Sequence, residues 1–318
     1  MVIPRVKRLR ERLDDTEVRQ ARHLVRPLRS AQPPQVVVFG DSTWVFTADY
    51  DEDRRSLSQM LVAELGPNVS VHVCAGAGYH PALVSAYVRL IARHKAQPIV
   101  IAPLCARMAS VAWSTHPRYS YVRAIERIDR IAGDAPLRSI RAALPEITPA
   151  DFERYGRTVI RTWAGEAPIH ELREPLRNPA AHGLSEDERR TMLYAYHHGE
   201  RLDPAQRSLQ ETEALGAALR SLGPRPVLFE TPAPVDDGVV LWGEQFRETL
   251  DHNLRLLSEA VRRGYGEPID VLPTGTAFER AEFIDPADGS EHLNERGRRH
   301  LAAVLAEATK AMLESRSA

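Results

Sequence analysis

A chain of 318 residues is long enough for one large domain or two small ones. Its apolar fraction of 43%, charged fraction of 27% and formal net charge of −1 are those of an ordinary globular protein, and near-neutrality supplies no bulk field toward nucleic acid or an anionic membrane. No apolar run reaches the ~18 residues that span a bilayer, and the N-terminus lacks the apolar stretch of a secretory signal, so a cytoplasmic protein without stable membrane insertion is expected.

Residues 1–30 hold nine Lys/Arg against four Asp/Glu. Val6, Leu9 and Leu13, then Leu24, Val25 and Leu28, predict an N-terminal helical segment docked on the body. A basic amphipathic helix also suits a membrane surface, but Asp14, Asp15 and Glu17 interrupt the basic face. The rest, 31–318, reads as one domain. VVVF (36–39) predicts a first strand, followed by a helix around 54–65 with Leu57, Met60, Leu61 and Leu65 on one face. VSVHVC (69–74) predicts a second strand, with a helix near 82–95, and PIVIAPL (98–104) a third. About a hundred residues then carry no strand signal, only helical patterns such as 121–132 and 186–198. A structureless loop of that length is improbable, so a helical insertion at about 115–222 is expected, a lid or cap over the sheet's edge. PVLFE (226–230) and the weaker PIDVL (268–272) supply the fourth and fifth strands, with helices from about 241 to 263 and 293 to 314. Continuous apolar runs alternating with helices imply an α/β fold with a parallel sheet of about five strands. Sites in such sheets gather at the carboxyl ends of the strands. Cys74 and Cys105 lie in or beside strand-like runs and read as free thiols of a reducing compartment rather than a disulfide.

Three features at those strand ends can carry chemistry. Gly40-Asp41-Ser42 follows the first strand: Gly40 allows a sharp turn, and Ser42 is lifted above the sheet edge. Taken alone, Asp41 and Ser42 only satisfy backbone donors at a strand end. CAGAGYHP (74–81) follows the second strand, where small residues permit an exposed N–H to face an oxyanion; alone it is a tight βα turn. His292 precedes the last helix, with Asp285, Asp288 and Glu291 close upstream. By itself it is a capping or surface histidine, but serine, histidine and a carboxylate together can act as nucleophile, general base and orienter.

In this order, and on these elements, GDS after strand one, glycine after strand two and HLNERG (292–297) before the last helix resemble the SGNH, or GDSL, hydrolase superfamily. The resemblance covers roughly 34–114 and 224–314. It implies a three-layer, flavodoxin-like α/β fold and acyl-ester chemistry without metal or organic cofactor. It implies Ser42 as nucleophile and oxyanion donor, Gly78 (with Gly76 as the alternative) as a second donor, and His292 as general base. Two departures stand out. The superfamily's asparagine after the third strand is absent from APLCARMASVAW (102–113), where Cys105 and Arg107 are nearest. A thiol is a poor donor, whereas Arg107 suits an oxyanion, a substrate carboxylate or a structural ion pair. The position three residues before the histidine is Gly289 rather than aspartate. Asp288, one step further off, is the expected orienter, with Asp285, Glu291 or a backbone carbonyl as alternatives.

Asp41 is expected to brace the turn, while Trp44, Phe46 and Asp236 are candidates to line a pocket. His116 lines it only if the insertion folds back, and His197-His198 read as helix surface because no second ligand pair stands at metal spacing. The expected partner is a small-molecule or carrier-bound acyl substrate rather than nucleic acid; nothing in the sequence specifies an oligomeric state. A non-catalytic binding protein on the same fold is the rival from another class. A nucleotide binder is disfavoured, since GDSTWVF lacks the glycines of a phosphate cradle.

Overall fold

The computed structural model describes residues 16–28, 34–132 and 147–317; Val6, Leu9 and Leu13 lie outside them. The described strands are β1 (Gln35–Gly40), β2 (Ser70–Ala75), β3 (Ile99–Leu104), β4 (Val159–Thr162), β5 (Gly165–Pro168), β6 (Val227–Glu230) and β7 (Val271–Leu272). Five of them form one sheet in the order β2-β1-β3-β6-β7, parallel throughout. That order is consistent with a flavodoxin-like layout. All five strands coincide with the apolar runs expected from the sequence.

Both faces of the sheet are buried, which explains why the runs are continuous rather than alternating. Val36, Val38, Ile99, Ile101, Val227 and Phe229 face one side; Val37, Phe39, Val100, Ala102 and Leu228 face the other. Each fully buried aliphatic side chain stabilises by roughly 1.5–3 kcal/mol, so two covered faces supply most of the driving force. In chain order the described helices begin with α1 (Thr16–Leu28), α2 (Leu57–Leu65), α3 (Pro81–Arg93), α4 (Ala106–Ala109), α5 (Val111–Ser114), α6 (Val122–Ala132) and α7 (Pro149–Gly156). They continue with α8 (Ile169–Arg177), α9 (Glu186–His198), α10 (Arg207–Arg220), α11 (Val235–Trp242), α12 (Glu244–Tyr265) and α13 (Glu295–Ser317). On the first face, α2 presents Leu57, Met60, Leu61 and Leu65, and α13 presents Leu301, Ala302, Leu305 and Ala306. A capping box between Ser56 and Gln59 starts α2. The second face carries α3, α6, α10 and α12, and there α1 docks through Ala21, Leu24, Val25 and Leu28.

Two expectations change. The segment between β3 and β6 holds an antiparallel hairpin, β4–β5, besides its helices. Its strands are four residues long, and in β4 only Ile160 is fully buried, so no hydrophobic period develops. The single helix expected over 241–263 is two, α11 and α12, parted at Gly243, whose φ of 68° lies in the left-handed region that a helix interior does not permit.

Candidate active site

The loops at the carboxyl ends of the strands meet over Ser42. Gly40 closes β1 because a Cβ there would lie 1.8 Å from the Trp44 ring. Asp41 then caps a 3-10 turn (Ser42–Trp44), its Oδ1 accepting the Thr43 N–H at 2.9 Å. Val45 and Phe46 both donate to the Ser42 carbonyl, at 3.1 and 3.0 Å, which fixes the backbone of Ser42. As the first residue of the turn, Ser42 keeps its own N–H outside the turn's hydrogen bonds.

Ser42 Oγ lies 3.0 Å from His292 Nε2, although 250 positions separate them in the chain. Phe46 stacks on the imidazole, ring centroids 4.2 Å apart and planes 12° from parallel. His292 is held from both flanks: its carbonyl accepts the Ile284 N–H at 2.9 Å, and the Leu293 carbonyl accepts Arg298 Nη1 at 3.0 Å. Burial, then the positive charge of Arg107, pushes the His292 pKa down to about 4, while Asp41 and Asp288 oppose the shift. The imidazole is therefore neutral at pH 7, and in the Nδ1–H tautomer its Nε2 accepts the Ser42 hydroxyl proton.

Gly76 and Gly78 differ in what their amides do. Gly76 N–H is committed to the Gly40 carbonyl at 3.1 Å. Gly78 has a φ of +69°, and a Cβ on it would strike the Tyr119 ring at 2.8 Å, so only glycine fits. Tyr121 donates its hydroxyl to the Ala77 carbonyl. Because C=O and N–H oppose each other across a trans peptide, that bond also aims the Gly78 N–H. Tyr121 itself sits at φ 50°, in the left-handed region a tyrosine adopts only under constraint.

At the end of β3, Arg107 forms a buried ion pair with Glu291 and lies 5.0 Å above the Trp113 ring. Cys105 Sγ is 3.9 Å from Glu291 Oε1. Burial raises the Glu291 pKa to about 7 against the pull of Arg107. Arg107 is thus paired with the residue beside His292.

Asp288 does not hydrogen-bond the imidazole. Its carboxylate pairs with Arg189 Nη2 at 2.9 Å, and Nδ1 of His292 has no hydrogen-bond partner among the described residues. Asp285 caps the 286–288 turn by accepting the Ala287 N–H at 3.0 Å. Asp236 accepts the Arg280 N–H at 3.3 Å, and Asp237 beside it pairs with Arg190 and Arg280. Trp44 is fully buried, edge-on to Phe229, and presents no surface to a ligand.

His197 and His198 are not helix surface. His198 is buried and donates Nε2 to the Gly289 carbonyl at 2.8 Å, while Tyr194 donates to that of Pro286. The ring of His197 packs 5.4 Å from Trp113, and its Nδ1 is buried without a partner. Burial, then Arg107, holds the His197 pKa well below the usual histidine value. Three side chains of α9, Arg189, Tyr194 and His198, thus grip the loop that leads to His292. Sequence reasoning missed them because α9 lies about ninety residues upstream, with no pattern that marks a partner. His116 is buried against Tyr119 and Tyr155.

Among the described residues no group of three or more His, Cys, Asp or Glu is placed to hold a metal ion. No described helix is long and apolar enough to cross a membrane. The sequence matches no model of a known protein family and has no significant match among curated proteins.

Proposed function

We propose that this chain is a serine-dependent acyl-ester hydrolase or acyltransferase of the SGNH type, acting on a small metabolite or a carrier-bound acyl group. The observation that carries the proposal is the 3.0 Å approach of Ser42 Oγ to His292 Nε2 at the carboxyl edge of a parallel sheet. In the proposed reaction Ser42 attacks the acyl carbon as His292 takes its proton. The Ser42 and Gly78 amides stabilise the oxyanion, and His292 returns the proton to the leaving group. Water or a second acceptor then releases the acyl group by the same path in reverse. The scheme needs no cofactor. We read residues 149–198, which hold α7, the β4–β5 hairpin, α8 and α9, as a cap, since α9 reaches the 286–289 loop; how well it excludes water decides between hydrolysis and transfer. Cys74 and Cys105 are free thiols, in keeping with a cytoplasmic location.

A non-catalytic binding protein on this fold is favoured by one observation: Asp288 is spent on Arg189, and nothing orients His292 Nδ1. A serine-directed fluorophosphonate separates the two readings. An adduct that disappears in Ser42→Ala is expected; no Ser42-dependent adduct and no ester turnover would remove the enzyme reading.

A further inference from the structure

Beside the reacting centre three arginines, Arg118, Arg173 and Arg177, gather without a carboxylate paired to any of them among the described residues. Arg173 and Arg177 stand four apart on α8 (Ile169–Arg177), the spacing that sets two side chains on one face, where like charges repel. Arg118 comes to the same place from the 115–121 loop, its backbone N–H donating to His116 Nδ1 at 3.1 Å. The Arg173 guanidinium lies 5.6 Å over the Tyr155 ring, and its Nη1 donates to the Tyr155 hydroxyl at 3.4 Å. Burial, then the charges of Arg173, Arg118 and Arg177, pushes the His116 pKa down to about 3, so all three act on one ring.

Nearby arginines are matched by carboxylates: Arg189 by Glu186 and Asp288, Arg190 by Asp237, and Arg161 by Glu166. Among the described residues, Arg118, Arg173 and Arg177 enter no ion pair. His116, held neutral, adds no charge of its own.

The group adjoins the reacting centre. His116 stacks on Tyr119 at 4.6 Å, and Tyr119 is the ring that a Cβ on Gly78 would strike. The His116 and Tyr119 rings therefore lie between the arginine group and the amide assigned to the oxyanion.

We propose that Arg118, Arg173 and Arg177 form a subsite for a phosphate group carried by the substrate, so that the acyl ester or thioester presented to Ser42 is borne on a phosphorylated handle. A carboxylate would balance only one of three positive charges. A phosphate monoester brings about −1.5 to −2 and three strong acceptor oxygens, which suit the fixed forks of guanidinium groups. The acyl half of the proposal rests on the Ser42–His292 reaction above, whereas the phosphate half stands on the arginines alone.

The test is calorimetric titration of inorganic phosphate into the full chain, at an ionic strength held constant with sodium chloride. Saturable binding is expected for the wild type and equally for Ser42→Ala. It should weaken at least about tenfold in Arg173→Gln/Arg177→Gln, as expected when two charge-assisted contacts are lost, and stay unchanged in Arg255→Gln, which pairs with Glu259 one turn along α12. If circular dichroism shows the double variant unfolded, the exposed Arg177→Gln alone must weaken binding measurably. No saturable binding, or binding indifferent to these variants, overturns the subsite. In a second arm, a phosphorylated short-chain ester should exceed its unphosphorylated counterpart in kcat/KM, and the double variant should erase that preference; equal values in the wild type overturn the phosphorylated handle. Arginine-dependent phosphate binding without Ser42 labelling keeps the subsite and removes the enzyme. Labelling without such binding does the reverse.

Discussion

Asp288 stands four positions before His292, but its carboxylate is turned to Arg189 at 2.9 Å and reaches the imidazole only through space. If catalysis runs through Ser42 and His292, Asp288→Asn should therefore lower kcat by less than about tenfold, whereas an aspartate bonded to Nδ1 of a catalytic histidine contributes about 10⁴-fold. A thousandfold loss at unchanged KM would mean that the carboxylate swings onto Nδ1 during the reaction. The pH profile follows from the same surroundings. A base acts only when neutral, and burial with Arg107 holds His292 down to about 4, so its acid form appears only below that pH. The acid limb of kcat/KM is expected near pH 4 rather than near the ~6.5 of an unperturbed histidine. Arg107→Gln removes the second cause of the shift, and the limb should move upward; a limb that stays in place would show that burial alone sets it. Ser42 and His292 were legible in the sequence because each adjoins a recognisable boundary, a strand end and a helix start. Their electrostatic neighbour Arg107 was legible as a residue but not as a partner of Glu291, because a pairing across 184 positions leaves no local pattern.

The elements that carry these residues are tied by Arg298, in the first turns of α13. Fully buried, it donates to Asp51 Oδ2 at 2.8 Å and to the carbonyls of Leu293, Arg55 and Asp53 at 3.0, 3.0 and 2.8 Å. It thereby fastens the loop that follows Ser42 to the start of α13 and to Leu293, next to His292. Only a guanidinium spans four acceptors in this way. Arg298→Lys should then fail to rescue what Arg298→Met loses, and removing the charge should cost about 3–5 kcal/mol by stranding Asp51, as read from urea unfolding. A lysine variant as stable as wild type would refute the role given to the fork. Burial alone would raise the Asp51 pKa, but hydrogen bonds from Arg298 and from the Glu295 and Ala48 amides outweigh it and hold the carboxyl below its usual value. Its contribution is present above the unfolded pKa of ~3.9 and is lost as pH falls below that. At this scale the sheet strands were legible because they are buried on both faces. The β4–β5 hairpin and the break at Gly243 were not, since one depends on a single buried residue and the other on one glycine inside an apolar stretch.

Across the whole molecule, the cap is joined to the sheet through buried titratable groups, and these set a pH dependence of stability. His72, His80, His116, His197, His198 and His292 are all held below the ordinary histidine value, burial being the first cause in each. Unfolded, they bind protons below ~6.5 that the native state refuses, so they destabilise the fold as pH falls from there toward about 4. Buried acids act in the opposite sense. Glu200 accepts the Val111 N–H at 2.8 Å and the Gln206 amide at 3.1 Å, while its carbonyl accepts Asn253 Nδ2, so it joins three separate elements. Burial outweighs those bonds and raises its pKa to about 7; Glu291 also reaches about 7, and Glu230 and Asp237 are raised as well. These acids favour the native state at low pH and give up that stability as pH rises through their folded values. The histidines held far below their usual value, His116, His197, His198 and His292, outnumber the acids raised to about 7, Glu200 and Glu291, so unfolding free energy should fall on acidification from pH 6.5 to 5. Two variants check the signs independently in thermal scans at several pH values. Glu200→Gln deletes an opposing proton and should steepen the acid loss of Tm. His198→Gln, which keeps a donor for the Gly289 carbonyl, should flatten it. If both variants shift the slope in the same direction, the native protonation states assigned to Glu200 and His198 cannot both hold, and the linkage between cap and sheet must run through other groups.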